Sequence, residues 1–81
     1  MTDFDRRAAL LARVDTLERH AATLAEAFKD AEMSTEARSL RDTLRRTRAF
    51  LEDAAPGPGL DDVQHVIDSA SLLLASLRRS R

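Results

Sequence analysis

Apolar residues recur at Leu10, Val14, Leu17, Ala21, Leu24, Phe28 and Ala31, in steps of four and three. That rhythm is the seam of one helix face. No Gly or Pro interrupts it, so the pattern predicts a helix over residues 3–31, ~43 Å long at 1.5 Å per residue. Thr2 or Asp3 can cap its start, and Asp3 and Asp5 suit the positive end of its dipole.

A second set follows: Met33, Ala37, Leu40, Leu44 and Leu51, with Thr47 in the same line. It keeps the rhythm but is displaced by two residues from the first set. At 100° per residue the second seam lies roughly 150° around a continuous helix. Nothing between Asp30 and Arg38 forces a break, and local propensity allows a single helix from residue 3 to residue 54 within a longer intermolecular antiparallel bundle. A straight helix would expose one seam, however, whereas a reversal near residues 32–35 turns both toward one core. Ser34 is a good N-cap there, with Glu36 in the following turn. The expected second helix runs over 35–54. The run Ala55-Pro56-Gly57-Pro58-Gly59, which holds every Pro and Gly of the chain, ends it in a loop.

The third helix is expected over 60–79. Its seam is Leu60, Val63, Ile67, Ala70, Leu74 and Leu77, and Val66 and Leu73 widen the stripe enough to touch two neighbours. Asp61 and Asp62 open it and Arg78 and Arg79 close it, matching the dipole at both ends. The reading is all-α: one domain, residues 1–81, a small three-helix bundle packed up-down-up. Its expected core is Leu10, Val14, Leu17, Leu24, Phe28, Leu40, Leu44, Leu51, Leu60, Val63, Ile67, Leu74 and Leu77.

Eighty-one residues give a thin core, and self-association is a common remedy at this size. The later helices, ~30 Å each, would cover the first back to about residue 11. Phe4, Ala8 and Leu11 would then project on a second face. That face, with Leu72 outside the third helix's stripe, is the candidate self-association or partner surface.

Charge is balanced, with 13 basic and 14 acidic residues and a formal net charge of −1. It exerts no global pull toward nucleic acid or an anionic membrane. There is no Cys, which excludes disulfides and thiolate metal sites. The start lacks the basic and apolar pattern of a signal peptide, and Leu72–Leu77 is too short to span a bilayer. A cytoplasmic location is therefore expected. The third helix is amphipathic, but Arg falls only at the end of its polar face, unlike a membrane-surface helix.

Local chemistry adds one constellation. Arg38, Arg41, Arg45 and Arg48 step by three, four and three and form a row beside the second seam. Such a row can meet successive phosphates. It can equally pair with Asp15, Glu18 and Glu26 of the first helix and with Glu52 in line with it, and no Trp or Tyr is present for base stacking. His65 shares a face with Asp61 and Asp68, a weak metal pattern, since those acids already suit a helix start and a solvated face. His20 stands alone beside the first seam. One Lys, two isolated His and no phosphate-cradling Gly loop leave catalysis little to work with. No cofactor or metal is expected. The function expected is a non-enzymatic protein–protein interaction module, homodimeric, acting through helix surfaces. The alternative is a nucleic-acid-binding regulator using the Arg row.

Overall fold

A computed structural model of the chain describes residues 2–53 and 59–80. Three helices follow one another, α1 (Asp3–Ala27), α2 (Ala31–Asp53) and α3 (Leu60–Arg79). The bundle is elongated, 42 × 20 × 16 Å. α1 packs against both other helices, and α2 and α3 touch each other least. Side-chain pairings set the directions. Glu18 meets Arg45 and Arg7 meets Leu51, so α1 and α2 are antiparallel. Arg6 meets Asp61 and Arg13 meets Asp68, so α1 and α3 are parallel.

α1 begins with a capping box. Thr2 Oγ1 accepts the Asp5 N–H at 3.1 Å, and the Thr2 N–H donates to Asp5 Oδ2 at 3.4 Å. Two of the unpaired donors at the helix start are thereby satisfied.

The reversal exists, but four residues earlier than the seam spacing places it. α1 ends at Ala27 rather than 31, and Phe28 turns extended at ψ 129°. α2 starts at Ala31 rather than 35. Its cap is Asp30, whose Oδ1 accepts the Met33 N–H at 3.0 Å, not Ser34. Ser34 is buried inside α2, where its hydroxyl donates to the Ala25 carbonyl at 2.8 Å. That carbonyl sits in the last turn of α1, where the helix supplies no donor of its own. Ser34 therefore closes the end of the preceding helix. Asp30 is the stronger cap because it adds charge at the positive end of the dipole.

The earlier turn also removes most of the expected overhang. α2 runs back along α1 far enough for Arg7 to donate to the carbonyls of Leu51 and Glu52. Arg6 pairs with Asp61 and donates to Gln64 Oε1 at 2.7 Å. Leu11 is partly buried against the core instead of projecting from it.

The core is one cluster fed by all three helices. Val14, Leu44, Leu51 and Ile67 have no exposed surface. Leu17 and Phe28, expected inside, are only partly buried at its edge. Ala21, Ala25, Ala37 and Ala70 are buried in the same cluster. α3 spans 60–79 as expected and carries its acidic and basic ends in place. Gly59 precedes it at φ +83°, a left-handed conformation that favours glycine. The expected end of α2 at residue 54 and the loop at 55–58 lie outside the described residues.

The cap assignment has a direct consequence. Asp30→Ala should lower stability by about 1 kcal/mol, a fall in Tm of roughly 4–8 °C. Asp30→Asn, which keeps the acceptor, should lose less. Thermal unfolding followed by circular dichroism measures both.

Candidate interaction surface

Each side of the bundle has a different character. On the α1–α2 side, Glu18 is buried, with its side chain 9% exposed. Arg45 Nε donates to Glu18 Oε1 at 3.0 Å. Arg48 Nη1 approaches Oε2 to 2.6 Å, a charge contact outside hydrogen-bond alignment. Arg48 also lies 3.6 Å from Asp15 and 3.9 Å from Glu52. The rest of the Arg row is engaged locally. Arg38 donates to the Ser34 hydroxyl at 3.1 Å, and Arg41 pairs with Asp42 at 3.2 Å. Much of the row's charge thus meets carboxylates of this chain. The Glu18 pairing ties α1 to α2 because a buried carboxylate needs its cations.

On the α1–α3 side the polar groups are also paired. Arg13 meets Asp68 at 3.0 Å, and Arg6 meets Asp61. The hydrogen bond from Arg6, reinforced by its positive charge, holds the Asp61 carboxyl below the usual carboxylate range. Asp61 and Asp68 thus each pair with an arginine of α1, and His65 adds only a smaller charge effect on Asp61. Among the described residues no three His, Cys, Asp or Glu side chains gather as metal ligands. His20 is exposed on α1.

The α2–α3 side is different. An open trough of about 600 Å³ runs between the two helices. The space lies between the two helices that touch each other least. Leu40, Ala70 and Leu77 lie at its bottom, where they also belong to the core. Glu36, Ser39 and Thr43 line it from α2, and His65, Val66, Ser69, Leu73 and Ser76 from α3. Thr43 and Val66 continue it into a second hollow of about 400 Å³ beside Arg46, Thr47, Phe50, Gly59 and Asp62. Among the described residues, three of the five exposed large apolar side chains line these hollows: Phe50 is 49% exposed, Val66 40% and Leu73 57%. Leu72, 73% exposed, precedes Leu73 on α3 and is four residues from Ser76 of the wall.

The expected surface is thereby divided. Phe4, 64% exposed, and exposed Ala8 lie near the start of α1, beside the start of α3. Leu72 lies eleven residues beyond Asp61, ~16 Å along the bundle. Leu11 packs on the core. The trough brings together residues that the apolar pattern treated separately. The widened stripe of α3 had set Val66 and Leu73 against a second neighbour, but both are exposed along the trough instead. Phe50 was missed because it lies off the α2 seam, and its signal was its position three residues beyond Thr47.

No protein-family model, curated protein or solved structure matches the chain. No helix among the described residues is long and apolar enough to cross a membrane.

Two outcomes follow from the pairings. Glu18→Ala should destabilise the fold by roughly 1–3 kcal/mol in urea unfolding, between the values for exposed and fully buried ion pairs. Arg45→Ala should cost less, since Arg45 is the more exposed partner. Because the Asp61 pKa is lowered in the folded state, its contact with Arg6 stabilises the fold above the unfolded carboxylate range. That contribution is lost as pH falls through the lowered value. Arg6→Ala should return the Asp61 titration midpoint upward, as read by carboxyl NMR.

Proposed function

We propose that this protein is a non-enzymatic interaction module of the cytoplasm that receives a helix of a protein partner along its α2–α3 face. The observation that carries this reading is the concentration of Phe50, Val66 and Leu73 along one trough. Single exposed apolar residues are ordinary on a protein surface. A contiguous row above a groove is the usual form of a helix-binding site.

Chemistry within the trough favours binding over reaction. Its walls present hydroxyls and alkyl groups, and its one imidazole, His65, has no hydrogen-bonded carboxylate among the described residues. The small side chains Ser39, Thr43, Ser69 and Ser76 let a visiting backbone approach closely. Phe50, Val66 and Leu73 offer the apolar surface that such a visitor would cover.

The Arg row is the weaker candidate for a binding surface. Arg45 and Arg48 are committed to Glu18, which lowers the positive potential available to phosphates.

A photo-reactive amino acid at position 73 tests the reading. In cells it should cross-link to discrete protein species, whereas the same probe at Thr23, exposed on α1, should not. Equal labelling from both positions, or none from position 73, would refute it.

A further inference from the structure

We propose that a second copy of this chain covers the trough, docked face to face with like helix over like helix, about a two-fold axis at the level of Leu40 and Ala70. The proposal rests on the α2–α3 face being the interaction surface and names its partner.

The charges point to it. Arginines on the α1 sides meet carboxylates of this chain, including Arg6, Arg13, Arg45 and Arg48. Around the trough, Glu36 and Arg46 of α2 and Asp62 of α3 make no ion pair among the described residues. Arg46 reaches only the Thr43 hydroxyl, at 3.4 Å. The two charges are opposite in sign and stand ten residues apart on α2, with Arg41 midway between them.

A two-fold axis lying across both helices reverses each one on its own copy. It brings Glu36 opposite the partner's Arg46, and Arg46 opposite the partner's Glu36. Val66 and Leu73 obey the same axis, whereas Phe50, nine residues from Arg41, comes opposite the partner's Glu32 at the rim. Val66 and Leu73 are centred between Ser69 and Ala70, so Val66 would pack on the partner's Leu73 and Leu73 on the partner's Val66.

These two centres were located independently, one from charge on α2 and one from apolar residues on α3. They fall on the same level of the bundle. The Phe50 ring packs beside Gly59. Counting back along α2 from Phe50 and forward along α3 from Gly59 brings Arg41 level with residues 68–69, within ~2 Å of the α3 centre. One axis therefore satisfies both sets. At its crossing point the side chains facing the trough are Ser39, Thr43 and Ser69, small enough for the helices to approach.

The face is large enough, though only just. Two helices side by side offer ~20 × 30 Å, so two copies would bury ~1,200 Å² in total, the lower bound for a specific interface. Apolar contact would supply the affinity, and the rim charges would set the register.

Reversing the charges tests this pairing. The wild-type chain at about 100 µM should show by light scattering twice its 9.0 kDa mass. Glu36→Arg and Arg46→Glu should each weaken the dimer ~10-fold or more while keeping helicity, since each places like charges together twice. Mixed one to one, the two variants should form a heterodimer, because both contacts become opposite in sign. The double variant E36R/R46E should dimerise by itself.

A monomeric wild type would overturn the proposal. So would a dimer indifferent to both reversals, or single variants that stay monomeric on mixing. If the wild type is monomeric yet cross-links from position 73 to a different protein, the face is an interaction surface and only its occupant is wrong.

Discussion

The structure depends on α1 serving as a wall for two neighbours at once. Val14 of α1, Leu44 of α2 and Ile67 of α3 have no exposed surface and share one core. Burying aliphatic side chains contributes ~1.5–3 kcal/mol each, and in a chain this short few other sources of that size exist. The three helices must converge on α1 to achieve it. With both flanks of α1 occupied, α2 and α3 are held beside each other with the least direct contact of the three pairs. The trough between them follows from that arrangement.

Polar groups reinforce the asymmetry. Glu18 with Arg45 and Arg48, Ser34 with Ala25, and Arg7 with the end of α2 fasten α1 to α2. Arg6 and Arg13 fasten α1 to α3 through Asp61 and Asp68. Exposed pairs add little stability individually, but they favour one arrangement of helices over others that bury similar apolar area. α2 and α3 share no such fastening among the described residues. Apolar side chains lie exposed along their junction, together with Glu36 and Arg46, which make no ion pair among the described residues. The bundle is thus divided, with polar locks on two sides and an apolar opening on the third.

Much of the architecture is legible in the amino-acid order. The steps of four and three placed Leu10, Val14, Leu24, Leu40, Leu44, Leu51, Ile67 and Leu74 inside because a helix presents such positions on one side. The two-residue displacement between the first seams demanded a reversal, and charge at both ends of α3 fixed its limits. Seam spacing could not decide which residue turns the chain. Asp30 and Ser34 are both capping types, and only the arrival of Ser34 beside the Ala25 carbonyl separates their roles.

The one-dimensional pattern by itself determined that three amphipathic helices form and which edge of each turns inward, since these depend on spacing along a helix. Tertiary packing decided where the first turn falls, which carboxylate holds Arg45 and Arg48, and which apolar residues stay uncovered. Phe50 on α2 and Leu73 on α3 stand far apart in the chain, and neither has an evident partner when read alone. They become parts of one surface only because both helices lean on α1, a relation between distant segments that no local periodicity encodes.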